Sequence, residues 1–397
     1  MANRLAKQHR KDWDIQVVDA HKTHYYQPGF LFLPFGRIKE SAITRDRAGF
    51  ISKKVTYTQT QIDKVVADHN KVVLADGNEL PYDVLIIATG SRIAPEETPG
   101  MTGELWHKQI FDFYTPEGAT ALRDYLKDWP GGKLVVHITE MPIKCPVAPL
   151  EFSFLADDFF KQKKMRDKVD ITFVTPLTGA FTKPIASEKL GYLLSERNIT
   201  VVPEFSVEHI DNEQKKLVSY DEKEVPFDLL VTVPTNKGSD VIQRSGLGDE
   251  LNFIPTDHHT LQSIAHQNIF VVGDATNVPA SKAGSTAHFE TEILTENIKR
   301  FIDGEELKPA FDGHANCFVE SGNGKALLID FGYDVEPVEG TFPFAGIGPL
   351  QLLKESRLNH LGKKVFRLIY WYILLPARPL PFITAKLQLS GKKLTKK

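Results

Sequence analysis

At 397 residues, 42% hydrophobic and 25% charged, the chain has the make-up of a folded protein of more than one domain and lies outside the disordered, collagenous and low-complexity classes. A net charge of −3 with a pI near 6.5 supplies no overall attraction to polyanions, so no nucleic-acid partner is expected. Two cysteines, Cys145 and Cys317, are too few for a disulfide-built secreted scaffold, and no cluster has metal-ligand spacing, so no metal is expected.

Residues 1–10 (MANRLAKQHR) read as part of an amphipathic helix, and 14–19 (DIQVVD) as a short β-branched strand closing on Asp19. A Rossmann unit places a strand and a Gly-rich turn ahead of such a helix. Neither is present. The expectation is that the sequence starts downstream of the natural beginning, a lost pyrophosphate cradle being the alternative. Asp19 stands where an acid accepts hydrogen bonds from an adenosine ribose; alone, it reads equally as a surface turn residue. Tyr25, Tyr26, Gln27, Pro28 and Gly29 follow as a rigid aromatic segment.

Residues 71–78 (KVVLADGN) predict a strand and an Asp-Gly turn, and 82–90 (YDVLIIATG) an apolar strand ending in Ala88, Thr89 and Gly90, small enough for backbone to approach a cofactor. A helix is predicted near 116–128, followed by strands at 133–138 (KLVVHI), 169–175 (VDITFVT), 228–233 (DLLVTV) and 269–273 (IFVVG). Strands alternating with helices imply an α/β fold of two Rossmann-like, doubly wound domains with ligands at the strands' carboxyl ends. In VVGDATNVPASKAG (271–284), Gly273 lets the chain pass close to a cofactor, Asp274 is placed to bind a ribityl hydroxyl, and Ala275 is expected to begin a helix whose positive end faces an anion. Together these point to FAD. The second Rossmann unit reads TEMPIKCPVAPLEF (139–152) where a nicotinamide site needs a glycine loop, and its next strand ends VTP without a ribose-binding acid. An NADH:quinone oxidoreductase is thereby demoted.

In this order and spacing the motifs resemble the two-dinucleotide-binding-domain flavoproteins, especially their sulfide:quinone oxidoreductase and flavocytochrome c sulfide dehydrogenase branch. KCPVAPLEF is similar to that branch's Cys-Pro-x-Ala-Pro-x-Glu loop, and NCFVESG with GKALLIDF to its second cysteine motif. The resemblance implies that Cys145 and Cys317 form a disulfide or sulfur-bridged pair beside the flavin, attacked by sulfide. One cysteine is left persulfidated and the other as a thiolate, electrons pass to FAD and then to a membrane quinone, and sulfur leaves as a growing polysulfide. Many relatives carry a third cysteine that this chain lacks. Cys145, between Lys144 and Pro146 at a strand-to-helix transition, is expected to favour thiolate; a lone cysteine is more often a small buried hydrophobe. Glu151 is a candidate proton shuttle, or simply a favourable charge in a first helical turn. His314 is a candidate base for Cys317, or a loop residue held by hydrogen bonds. Lys282 resembles the family lysine near the flavin and would stabilise charge on the reduced ring, a solvated loop lysine being the alternative.

From Lys354 onward eleven Lys or Arg stand against one acid, Glu355, so this tail carries +10 and, the chain being −3 overall, the preceding residues −13. Within 351–375 the longest apolar run is Leu368 to Leu375, far below the ~20 residues of a spanning helix. Arg357, Lys363, Lys364 and Arg367 alternate with Leu358, Leu361, Val365, Phe366, Leu368, Ile369 and Trp371, which predicts a helix in the headgroup plane, assisted by the terminal GKKLTKK. A dimer interface or packing against the body is the alternative, and a homo-oligomer is left open. Phe342, Phe344 and Phe289 are candidate quinone contacts, core packing being the equal alternative. The expected organisation is an FAD-binding domain in two parts, 1–110 and 241–340, a second Rossmann-like domain at 111–240 carrying Cys145, and a membrane and quinone tail at 341–397. The whole implies a monotopic enzyme on the cytoplasmic membrane. The competing readings are a sulfide dehydrogenase passing electrons to cytochrome c, a soluble partner that would not require the amphipathic tail, and a non-catalytic, membrane-bound remnant without FAD.

Overall fold

A computed structural model describes residues 1–8, 10, 12–380 and 383–394. Helix α1 (Ala2–Ala6) is shorter than the ten residues expected, and the chain then enters β1 (Gln16–Val18), which pairs in parallel with β2 (Thr56–Thr58). Strand β3 (Leu85–Ile87) belongs to the same unit. Past it, Ser91–Ile93 runs antiparallel to Asn236–Gly238, so the outgoing and returning connections to the second unit are zipped together.

The second unit holds β4 (Ile110–Phe111), α2 (Pro116–Asp128), β5 (Gly132–Ile138), α3 (Ala148–Gln162), β6 (Val169–Val174), α4 (Pro184–Glu196), β7 (Ile199–Val202) and β8 (Leu229–Val233). Its sheet is five-stranded and parallel, in the order β4-β8-β5-β6-β7. Residues 134–138 of β5 and all of β8 are buried, as continuous apolar runs must be in a parallel sheet covered on both faces. Local chemistry sets the helix starts: Thr115 caps α2 by accepting from the Gly118 N–H at 3.0 Å, with Pro116 at the first helical position.

The chain then returns through β9 (Ile269–Val271), parallel to β3, and α5 (Gly284–Ile302). The hairpin β10 (Ala315–Gly322) and β11 (Lys325–Phe331) follows, extended by β12 (Gly340–Phe342) and β13 (Leu350–Leu352) into a mixed sheet ordered β10-β11-β13-β12. Helix α6 (Arg357–Ile369) lies on this sheet and runs into a π turn at Tyr370–Leu374. The region expected as one helix over 351–375 is therefore a strand, a Ser356-capped helix and a wider turn.

Two cores matter for the site. The larger joins Tyr26 and Phe30 of the first unit to the β5–β8 sheet, to Phe152 and Phe154 of α3, to Leu327 and Ile329 of β11, and to Trp371 after α6. A second gathers Leu5, Phe270, Phe289, Leu294 and Ile298 around α5. Trp371 is buried, with its ring stacked on Phe50 at 5.3 Å and the Arg45 guanidinium 5.3 Å from its centre. The C-terminal segment is thus built into the body through its aromatic residues. Among the described residues no helix is long and apolar enough to cross a membrane.

Candidate active site

The carboxyl ends of β3 and β9 meet where the ATG and GDA motifs fall. Gly90 and Gly273 both take left-handed backbone angles, φ +68° and +73°, and a Cβ at Gly90 would meet nothing within 4 Å. Ser91 Oγ, just beyond Gly90, donates to Asp274 Oδ2 at 3.3 Å, tying the two strand ends together. Ala275 does not begin a helix. Gly273–Ala275 is a single 3₁₀ turn, and α5 starts only at Gly284, because Pro279 lies in the intervening stretch and cannot donate to a helical ladder.

Lys282 fixes that stretch. Its buried ammonium donates to the carbonyls of Asp274 at 3.0 Å and Thr276 at 2.6 Å and lies 3.8 Å from the centre of the Phe253 ring. Burial lowers its pKa, with Asp274 opposing. The expected charge stabiliser of a reduced ring is therefore a clamp on the Gly273–Thr276 turn, its ammonium already committed to carbonyls. At the start of α5, the buried Thr286 hydroxyl finds no hydrogen-bond partner among the described residues. Open backbone at Gly90 and Gly273, a part-exposed Asp274 and an unsatisfied hydroxyl at a positive helix end suit the ribityl, phosphate and ring oxygens of FAD. Ala88 and Thr89, at the mouth, are exposed. Asp19 is more committed than expected: Oδ1 accepts from the His21 N–H at 2.8 Å and Oδ2 is ion-paired with Arg47. Tyr26 is buried with its ring 5.1 Å from Tyr370, and Pro28 sits in the first turn of the 3₁₀ helix Gln27–Phe32.

Both cysteines converge on the segment that opens α5. The Cys145 N–H donates to the Lys282 carbonyl at 2.7 Å, and Cys317 Sγ lies 4.0 Å from the Ser285 hydroxyl, which also accepts from the Asn316 N–H. Cys145 holds a left-handed φ of +52°, unusual for a residue with a Cβ and costing about 1–2 kcal/mol. Its carbonyl is gripped by the Ala148 N–H at 2.9 Å and the Tyr114 hydroxyl at 3.3 Å. Strain held in place by surrounding bonds is a mark of a functional position. Both thiols are unbridged. The surroundings do not favour a ready thiolate at Cys145: both cysteines are part-buried, desolvation and then the Glu151 carboxylate and Cys317 push its thiol up, and desolvation pushes Cys317 up to about 11. Lys144, expected to help, is itself lowered by burial.

Glu151, in the first turn of α3, acts on both sulfurs from within the protein. It is 1% exposed, accepts from the Glu320 N–H at 2.7 Å and is ion-paired with Lys363 of α6, which also donates to the Phe318 carbonyl at 3.0 Å. Burial raises the Glu151 carboxyl while Lys363 draws it down. Beyond it, His360 Nδ1 faces both oxygens of Glu320 at 2.9 Å. Lys363 is therefore not on a headgroup-facing surface, as the alternation had suggested. The signal that could have found it is Gly362: a Cβ there would stand 2.8 Å from the Phe318 ring, so this face of α6 must press against β10.

Other expectations fall away on geometry. His314 cannot serve Cys317, since Nε2 binds Asp330 at 2.8 Å, Nδ1 binds the Ala385 carbonyl at 3.2 Å, and the ring stacks on Phe289 at 4.0 Å. That stacking also places Phe289 in the α5 core, apart from Phe342 on β12 and the exposed Phe344. Of GKKLTKK, Lys392 is buried against Asp330 at 2.6 Å, and the final three residues lie outside those described.

Several curated relatives are named as sulfide:quinone oxidoreductases. The chain is 26% identical over 371 residues, 91% of its length and 81% of the relative's, to a mitochondrial sulfide:quinone oxidoreductase of Schizosaccharomyces pombe. It is 27% identical over 384 residues to the Dictyostelium discoideum protein of the same name, covering 95% and 83% of the two chains. The solved sulfide:quinone oxidoreductase of Aquifex aeolicus has the same fold, with a TM-score of 0.78 at 20% identity, covering 95% of this chain and 89% of that one. No family model matches the chain. Fold and site together define a two-domain FAD-dependent oxidoreductase. Within that class, the resemblance to sulfide:quinone oxidoreductases carried by the two cysteine motifs is borne out by these relatives.

Proposed function

We propose that the protein oxidises sulfide through Cys145 and Cys317 and passes two electrons by way of FAD to a quinone held in a membrane. The observation that carries the reading is the meeting of the two cysteines at Lys282 and Ser285, beside the Gly273–Asp274 turn. FAD would be held by Gly90, Gly273, Asp274 and the start of α5, with Asp19 and Tyr26 further along; when bound, it supplies a two-electron acceptor for a thiolate. The chain's own part is to control sulfur and proton. Sulfide adds to one sulfur of a Cys145–Cys317 bridge, which the two free thiols would form by losing two protons and giving two electrons to FAD; the S–S bond breaks, and one cysteine carries the new persulfide while the other takes the electron pair as thiolate. Burial opposes that thiolate, so the proton of the attacking hydrosulfide needs a nearby acceptor. Glu151 is the carboxylate within electrostatic reach of both sulfurs, and the Lys363 ammonium draws its pKa down against the burial that raises it.

The outward face of α6 supports membrane residence. Leu358, Leu361, Val365, Leu368 and Tyr372 are 41–59% exposed at a spacing that aligns them along one helix face, and Ile347 in the neighbouring loop is 82% exposed. Phe342 and Phe344 border that loop and remain the quinone candidates. The eukaryotic relatives are named as mitochondrial, so the reading is of a membrane with a quinone pool, without the cytoplasmic side expected from the tail. The test is anaerobic absorbance spectroscopy of purified protein. A flavin band bleached by sulfide and restored by a soluble quinone analogue supports the proposal; a flavin indifferent to sulfide refutes it.

A further inference from the structure

Behind the Gly273–Asp274 turn stands an acid that the chemistry above does not use. Glu290, in the second turn of α5, is 1% exposed, and its Oε2 accepts the Gly273 N–H at 2.5 Å. No ion pair reaches it among the described residues. The nearest charges are Asp274 on the turn itself and Lys282, whose ammonium is spent on the Asp274 and Thr276 carbonyls; Tyr333, after β11, also feels the carboxyl. The other groups packed round α5 are engaged elsewhere. Arg4 of α1 pairs with Glu292 and contacts His288, while His314, just before β10, faces Asp330 and Cys317 of β10 faces Ser285. A carboxylate buried with one N–H and no cation is costly, and its neutral form is favoured.

We propose that Glu290 is a positioning residue for the dinucleotide turn: as a neutral acid it fixes Gly273 and so aims Asp274, and on ionising it sets a negative charge behind a turn that must receive an anionic cofactor. This rests on the FAD reading above. Burial raises the carboxyl to about 8, with the Gly273 N–H opposing and Asp274 adding. Neutral pH therefore lies on the side where the acid keeps its proton.

The test is FAD binding, followed by flavin fluorescence from pH 6 to 9.5, in the wild type, Glu290→Gln and Glu290→Ala. Wild-type affinity should be level on the acid side and fall above pH 8, approaching about tenfold per pH unit for one linked proton. Glu290→Gln, whose carbonyl still accepts from Gly273, should keep the acid-side affinity and lose the slope. Glu290→Ala should bind weakly throughout. A second arm needs no flavin. The folded-state pKa is raised from 4.5, so the acid's contribution to stability is fully present below 4.5 and is lost as pH rises through about 8. The wild-type unfolding midpoint should decline over that window relative to Glu290→Gln. A flat wild-type affinity profile, a slope that survives in Glu290→Gln, or identical stability profiles would overturn the proposal. If no variant bound FAD at any pH, the cofactor reading would fail while the stability comparison still judged the ionisation of Glu290.

Discussion

Replacing Lys363 by Met tests whether the acid between the thiols is controlled from α6. The Lys363 and Glu151 side chains are 10% and 2% exposed, so solvent screens the pair little. Removing one member of a buried pair costs about 3–5 kcal/mol, chiefly because the surviving charge is left uncompensated. Here Glu151 keeps the Glu320 N–H and can take up a proton, which places the loss at the lower end, about 3 kcal/mol, including about 1 for the bond to the Phe318 carbonyl. In Lys363→Met the freed carboxyl is raised further, so the variant is best tolerated at low pH and its deficit grows as pH climbs through the new pKa. Adding Glu151→Gln removes the stranded charge while its carbonyl still accepts from Glu320. The double variant should recover about 2 kcal/mol of coupling. Urea denaturation of wild type, both single variants and the double at pH 5 and 8 measures this cycle. A Lys363→Met loss below about 0.5 kcal/mol, or additive single losses, would refute the buried coupling.

Cys145→Ser and Cys317→Ser should each abolish sulfide-dependent bleaching while flavin remains bound, read by absorbance before and after sulfide; full bleaching in either variant would end the relay. Gly273→Ala should cost about 1–2 kcal/mol and weaken FAD retention, because the strain lies in its φ of +73° while the nearest atom, Ala287 Cβ, stands at an ordinary 3.5 Å. Leu361→Glu combined with Leu368→Glu should leave the denaturation midpoint within about 0.5 kcal/mol of wild type and abolish co-sedimentation with liposomes, both side chains being about half exposed. Trp371→Ala should cost about 3–5 kcal/mol by leaving a cavity beside Phe50 and Tyr370, seen as a lowered urea midpoint.

The sheet was legible in the sequence wherever both faces of a strand are buried. Uninterrupted runs such as KLVVHI and LLVTV admit few other placements, and the glycines at 90 and 273 stand where positive φ is required. What the sequence hid depends on neighbours distant in the chain. A lysine beside a basic cluster reads as solvated until β10 brings the Phe318 carbonyl and Glu151 to it. A cysteine between Lys144 and Pro146 reads as activated until burial is known, and burial reverses the direction. His314 reads as a base until Asp330 and the Ala385 carbonyl occupy its ring. Glu290 gave no local signal at all, because the group that explains it, the Gly273 N–H, lies 17 residues away.

Helix α6 joins the two halves of the proposed function because its faces do opposite work. One presents Leu358, Leu361, Val365 and Leu368 outward, continued by Tyr372 of the following π turn; the other sends Asn359 to the Gln351 backbone, His360 to Glu320 and Lys363 to Glu151. A helix is only about 10 Å across, so a surface seated on lipid lies roughly one helix diameter from the pair that governs the thiols' carboxylate neighbour. The apolar face cannot roll into a membrane without carrying Lys363 round with it, and the Asn359 and Gly362 contacts against the sheet resist that roll. On the proposed reading, lipid contact and control of Glu151 would be borne by one element, and a substitution on the outward face should alter attachment while leaving the acid in place.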